Sequence, residues 1–274
     1  MSPENLLTKL KDYFAGFEGA IIAYSGGVDS ALLAYVARIA LSKNMLAVLA
    51  DSPSLARREY RHALGFANDR DIPLYIIETQ EMQNPFYGAN QGDRCYHCKK
   101  VLFERIEELR RQPGNPLSNL SWPVFYGVNL DDLGDYRPGI QAANESGILA
   151  PYVELKIDKS RIRRICDVLG LEVADKPAMP CLASRIAYGQ EVNMEKLKQV
   201  ETAEDFLSEL GFRMLRVRHH GDTARIEILP EDFNLALQHR ISISEKLHEL
   251  GFLYVTMDLD GFKSGSLNAA LRKK

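Results

Sequence analysis

Short apolar runs alternate with helix-periodic segments through the first half of the chain. Met1–Phe14 reads as an amphipathic helix. Ala20–Tyr24, Met45–Ala50, Leu74–Ile77 and Pro123–Gly127 are apolar strand candidates, and helical patterns run over Ser30–Leu41, from about Ser54 to Asp69, and over Val101–Arg111. Strands that alternate with helices imply crossover connections and a parallel sheet. Their continuous apolarity fits strands covered on both faces. The Pro-Gly loop at Gln112–Pro116 lies between a helix and a strand, so it is not a domain boundary. Asp158–Leu169 is a basic helix, capped by Asp158 or Ser160 and stopped by Gly170. Asp175–Gly189 has two prolines and little periodicity, as a long functional loop and linker would.

The pattern then changes. Val192–Leu210 is helical and ends at Gly211. Arg213–His219 and Thr223–Leu229 form a hairpin around His220-Gly221-Asp222, Glu231–Leu250 is a helix ended by Gly251, and Leu253–Leu259 is a strand. The phrase Glu209-Leu210-Gly211-Phe212 recurs as Glu249-Leu250-Gly251-Phe252, each time between helix and strand. This echo predicts a small α+β domain with helices on one face of a short sheet. The expected division is an α/β domain over 1–188 and an α+β domain over 189–274, with the break near Ala187–Val192.

Composition narrows the class of molecule. A chain of 274 residues suits two domains. Its net charge of −3 provides no global basic field for stable nucleic-acid binding. Four cysteines are too few for a disulfide scaffold. No apolar run approaches the roughly 20 residues that span a bilayer, and the start lacks a signal-peptide pattern. The expectation is a cytoplasmic protein with neither a membrane nor a nucleic-acid partner.

The most specific local feature is Ser25-Gly26-Gly27-Val28-Asp29-Ser30, between the first strand and a helix. Two glycines let the backbone approach an anion, and the helix presents unpaired N–H groups to it. Ser25 and Ser30 add hydroxyl donors, and Asp29 is suited to hold a bridging Mg²⁺. The pattern is neither GxxxxGK[ST] nor GxGxxG. A plain strand–helix turn is the bland alternative. In this position SGGVDS resembles the PP-loop of the ATP pyrophosphatases, with their adenine nucleotide alpha hydrolase-like fold. The resemblance implies that ATP is cleaved between its α- and β-phosphates. It also places nucleotide contacts at Asp51 and Ser52 after the second strand, and at Gly127, Asn129 and Asp132 in Gly127-Val128-Asn129-Leu130-Asp131-Asp132.

Cys95-Tyr96-His97-Cys98 precedes a helix expected near Lys99. A redox dithiol, half of a zinc site, part of an iron–sulfur ligand set and two unligated thiols all fit that spacing. Cys181 sits in Pro180-Cys181-Leu182-Ala183-Ser184-Arg185, a polar loop with a cation nearby, whereas Cys166 lies inside a helix as a packing residue. Arg216-Val217-Arg218 puts two guanidinium groups on one strand face, suited to a phosphate or to acidic partners such as Glu227.

The PP-loop, the NxDD strand end, Asp135-Tyr136-Arg137-Pro138-Gly139, PCLASR and the α+β tail together resemble the LarE-type sulfurtransferases over essentially the full length. Those enzymes mature the nickel-pincer nucleotide cofactor of lactate racemase. The resemblance implies adenylation of a carboxylate on pyridinium-3,5-biscarboxylic acid mononucleotide, followed by sulfur delivery. One type in the family sacrifices the PCLASR cysteine. The other holds a [4Fe-4S] cluster on three cysteines, which here would be Cys95, Cys98 and Cys181. It further implies that Arg216 and Arg218 bind the substrate phosphate, that the protein is a homo-hexamer, and that product passes to the nickel-inserting enzyme. Ser184 and Arg185 are expected beside the reacting groups, with Arg185 placed to steady the adenylate. A tRNA thiolation enzyme, an amide-forming synthetase and a non-catalytic nucleotide-binding module are the rival readings.

Overall fold

The computed structural model describes residues 1–134 and 137–263. In chain order the helices and strands are α1 (Pro3–Ala15), β1 (Ala20–Tyr24), α2 (Val28–Leu41), β2 (Met45–Asp51), α3 (Arg57–Asp69), β3 (Leu74–Glu78), α4 (Pro85–Ala89) and α5 (Arg94–Arg111). They continue with β4 (Val124–Tyr126), α6 (Pro138–Glu145), α7 (Pro151–Glu154), α8 (Lys159–Val168), α9 (Met194–Glu209), β5 (Leu215–His220), β6 (Thr223–Ile228), α10 (Phe233–Gln238), α11 (Arg240–Glu249) and β7 (Tyr254–Met257). Two compact units result. One comprises Met1–Glu81 with Cys95–Met179, and the other Met82–Arg94 with Pro180–Lys274.

The first unit is built on a parallel sheet in the order β3-β2-β1-β4. Because side chains alternate along a strand, each central strand feeds two cores. Ala20, Ile22 and Tyr24 join Leu10, Phe14, Leu32 and Ile165 on one side. Ile21 and Ala23 join Phe103, Ile106 and Ala143 on the other. Every residue of β1 is therefore buried, as continuous apolarity requires. The Cys166 thiol lies in the first of these cores, and burial pushes its pKa up to about 12, so it packs as a neutral hydrophobe. Asp158 caps α8, its carboxylate accepting the Arg161 N–H at 2.8 Å.

Local turn chemistry moves two predicted helix starts. Ser52 accepts the Ser54 N–H on its Oγ (3.0 Å) and the Leu55 N–H on its carbonyl (2.9 Å), which delays α3 to Arg57. Conversely α5 starts at Arg94, so Cys95 and Cys98 sit within its first five residues instead of before the helix.

The second unit has a three-stranded sheet in the order β5-β6-β7, antiparallel then parallel. Val217, Ala224, Ile226 and Ile228 pack against Ala203 and Leu207 of α9 and Ile243 and Leu247 of α11. The helix expected over 231–250 is divided at His239, whose φ of −93° and ψ of 11° fall in the bridge region.

His219 stacks edge-on against Phe252 and bonds Gln199 through Nε2 at 3.1 Å. Burial, then Lys196 and His220, lowers its pKa to about 4. The unfolded chain thus binds a proton between about pH 6.5 and 4 that the folded chain refuses, and stability falls as pH drops through that window. Urea titrations at pH 7 and pH 5 are expected to show a smaller acid loss in His219→Gln than in the parent.

Candidate active site: the nucleotide loop and the cysteine turn

The order β3-β2-β1-β4 reverses direction between β1 and β4, so the sheet's switch point lies at the carboxyl ends of these two strands. Open α/β sheets bind ligands in that crevice. The segments there are Ser25–Ser30 after β1 and Gly127–Asp132 after β4.

Gly26 turns the loop with φ +71°, and a Cβ there would come 2.5 Å from that of Ala63, so a side chain is excluded twice over. Gly27 caps α2, leaving the first N–H groups of that helix facing the loop. Ser30 Oγ ties the loop back on itself, accepting the Ser25 N–H and lying 3.1 Å from Ser25 Oγ. A Cβ on Gly127 would sit 2.9 Å from the Ser30 nitrogen and 3.0 Å from the Asp29 carbonyl carbon. Gly127→Ala is accordingly expected to push the loop aside and raise the KM for ATP about tenfold or more, measured by pyrophosphate release. An unchanged KM would show that the loop tolerates the displacement.

Asp29 is half-buried, and each of its oxygens is engaged. One pairs with Lys159 Nζ, another accepts from Asn129 Nδ2 at 3.2 Å, and the carbonyl takes the Tyr152 hydroxyl at 2.8 Å. Lys176 Nζ donates to the Gly26 carbonyl at 3.1 Å and pairs with Glu59 at 2.8 Å. Two cations thus flank the loop where phosphate charge would arrive. Asp132 accepts the Asn129 N–H at 3.0 Å and pairs with Arg137 at 2.9 Å. At the end of β2, Asp51 pairs with Arg57 at 2.7 Å and Ser52 Oγ bonds the buried Glu81 carboxylate. Asp135 and Tyr136, part of the sequence pattern used above, lie outside the described residues.

Cys95 and Cys98 are three residues apart at the N-terminal end of α5 and so share one helical face. Cys95 is exposed and Cys98 half-exposed. Gly139, at the start of α6, packs on this turn, with a built Cβ 3.2 Å from Lys99 and 3.4 Å from the Cys95 carbonyl oxygen.

Cys181 belongs to the second unit and is exposed at the start of a tight turn, Leu182–Arg185. The turn beneath it is held by buried side chains. Arg185 donates to the carbonyls of Pro180 (2.5 Å) and Cys181 (3.2 Å) and to Ser184 Oγ (3.1 Å), and it forms a two-pronged pair with Glu204 at 2.9 and 3.0 Å. Arg218 donates to the Ser184 carbonyl at 2.8 Å and pairs with Glu227 at 2.9 Å. Arg216 lies over the Phe262 ring at 4.8 Å. Burial, then the like charges of Arg185 and Arg218, lowers its pKa to about 10. Among the described residues of this unit, Arg185, Arg216 and Arg218 are buried together with Glu204 and Glu227.

Sequence reasoning did not single out Lys159, Lys176, Glu59, Glu81, Asn90 or Glu204. Only Glu204 left a readable trace, a carboxylate in the apolar stripe Val200, Ala203, Leu207 of a predicted helix.

The metal requirements differ in how the residues meet them. For Mg²⁺, one carboxylate plus substrate phosphates suffices, and Asp29 at the helix start fits. For an iron–sulfur cluster the thiols fit in kind and number. Yet among the described residues no three His, Cys, Asp or Glu side chains converge as a metal site.

These features define an adenine-nucleotide enzyme of the PP-loop ATP pyrophosphatase class, and residues 4–102 match the NAD synthase family model. Across 98% of its length the chain is 32% identical to pyridinium-3,5-bisthiocarboxylic acid mononucleotide synthase of Lactiplantibacillus plantarum, covering 94% of that protein. The chain belongs to this family, the LarE-type ATP-dependent sulfurtransferases. An uncharacterised Synechocystis protein is 45% identical over 98% of this chain and 99% of its own. Another, from Methanocaldococcus jannaschii, is 30% identical over 94% of this chain and 96% of its own. Among the described residues, no helix is long and apolar enough to cross a membrane.

Proposed function

We propose that this enzyme uses ATP to activate a carboxylate of pyridinium-3,5-biscarboxylic acid mononucleotide and replaces the activated oxygen with sulfur. The observation that carries this reading is the full-length similarity to the Lactiplantibacillus synthase. The domain limits 1–188 and 189–274 remain part of the proposal.

ATP would lie over the N-terminus of α2, its phosphates on Ser25, Gly26, Gly27 and Ser30, with Asp29 taking Mg²⁺ and Lys159 and Lys176 facing the leaving pyrophosphate. Asp51, Ser52, Gly127, Asn129 and Asp132 would line the nucleoside and metal side. The substrate carboxylate attacks the α-phosphorus, the α–β bridging bond breaks, and pyrophosphate carries away the electron pair. Arg216 and Arg218 would hold the mononucleotide phosphate, as two guanidinium groups on one face of β5. Sulfur then displaces AMP from the acyl-adenylate to leave a thiocarboxylate. Held by Cys95, Cys98 and Cys181, a [4Fe-4S] cluster would leave one iron open to an exchangeable sulfide. Assembly as a cytoplasmic homo-hexamer and transfer of product to the nickel-inserting enzyme belong to the same reading.

Anaerobic purification with iron and sulfide analysis, followed by turnover with ATP, Mg²⁺ and the mononucleotide, tests it. Pyrophosphate and thiolated mononucleotide are expected, with iron bound and every cysteine intact by mass. A cluster-free protein that loses one sulfur from Cys181 would establish the sacrificial route instead. A thiolated tRNA would overturn the substrate.

A further inference from the structure

The segment before the C-x-x-C contributes to the unit that carries Cys181, and it does so through two buried polar residues. Asn90 ends α4 in the left-handed region (φ 53°) and is fully buried. Its Nδ2 lies 3.3, 3.0 and 3.1 Å from the carbonyl oxygens of Ile186, Ala187 and Gln190, and its own carbonyl accepts the Gly189 N–H at 3.0 Å. Its Oδ1 accepts from Arg94 Nη1 at 2.5 Å, and that nitrogen also donates to the Ala183 carbonyl at 2.8 Å. Together with Arg185 and Arg218, these side chains engage the carbonyls of residues 180, 181, 183, 184, 186 and 187. A carbonyl turned away from water needs a donor, so each bond removes an alternative path for the backbone. The thiol at the head of the turn is nonetheless exposed. A fixed base under an exposed sulfur is what a group needs when it must meet a reactive acyl-adenylate at one distance and angle.

We propose that Asn90 and Arg94 are positioning residues for the sulfur-transfer step, setting the backbone that presents Cys181. The proposal rests on the reading that Cys181 takes part in sulfur transfer. Asn90→Ala removes the shared amide, while Arg94→Lys keeps the charge but loses the planar two-acceptor reach.

The two half-reactions are followed separately, as pyrophosphate release with ATP and the mononucleotide, and as thiolated mononucleotide formed per pyrophosphate. Pyrophosphate release is expected to stay near the parent rate and to report folded protein. Thiolation per pyrophosphate is expected to fall about 10- to 100-fold in Asn90→Ala, and less in Arg94→Lys. Equal losses in both half-reactions, or none in either, overturn the positioning role. If Asn90→Ala does not fold, Arg94→Lys and Arg94→Gln decide the point by the same ratio, with lysine retaining more than glutamine. Cys181→Ser separates the two ideas: full thiolation by that variant defeats the underlying reading, whereas its loss beside unaffected Asn90 and Arg94 variants defeats only the positioning role.

Discussion

Cys181→Ser is expected to stop thiocarboxylate formation while pyrophosphate release continues for at least the first turnover. The prediction follows from where the residue stands. Its side chain is exposed and its backbone is held by Arg185 through the Pro180 and Cys181 carbonyls. The substitution changes one atom at the surface and leaves the supporting bonds in place, so folding and nucleotide binding are spared. Serine oxygen is neither an iron ligand of comparable strength nor a sulfur donor, so the loss is expected with a cluster or with a sacrificial thiol. Quenched-flow measurement of pyrophosphate beside mass analysis of the nucleotide product checks both halves. Retained thiolation would remove Cys181 from the chemistry. Loss of pyrophosphate release as well would mean that the turn also serves adenylation.

A comparably large effect, on stability, is expected from Glu204→Ala. Glu204 pairs with both prongs of Arg185 and accepts the Val217 N–H at 3.0 Å, and the side chains of the pair are 1% and 5% exposed. Removing the carboxylate strands a guanidinium away from water, which costs about 3–5 kcal/mol. At a few degrees per kcal/mol, the melting temperature is expected to fall by roughly 10 °C or more. Glu204→Gln keeps an acceptor for Val217 and is expected to lose less. The double variant Arg185→Met/Glu204→Leu removes both charges and is expected to regain only part of the stability, without the activity, because the Val217 N–H and the Pro180 carbonyl still lose their partners. Calorimetry on the three variants checks this order. A Glu204→Ala protein as stable as its parent would show that solvent reaches Arg185.

The parallel sheet was legible in the chain because its strands are apolar at every position but the last of β2 and β3. Ala20–Tyr24 can satisfy such a pattern only between two cores, and it has two. The nucleotide loop was legible for a related reason. Gly26 requires a positive φ and Gly127 a close approach, constraints that restrict the residue type itself. Lys159 and Lys176 left no such trace. They meet the loop across 130 and 150 residues, and a lysine on a basic helix reads the same whether it faces solvent or Asp29. Arg185 is a similar case. Proximity to Cys181 placed it beside the adenylate, whereas in the fold its guanidinium is committed to Glu204 and the carbonyls of the turn.

The cysteines divide along the same line. The shared face of Cys95 and Cys98 came only with the early start of α5 at Arg94, whereas the burial of Cys166 follows from the apolar stripe around it and is a property of local sequence. The base beneath Cys181 is not. It is made by Asn90, Arg94, Arg185, Glu204 and Arg218, from four separate stretches of chain, because buried carbonyls accept donors from whatever side chain the fold brings within hydrogen-bond reach. Sequence alone determined which residue types could do the chemistry and which strands carry them. Tertiary structure decided which charges those residues meet, since an ion pair or a backbone bond depends on distance in space and not on separation along the chain.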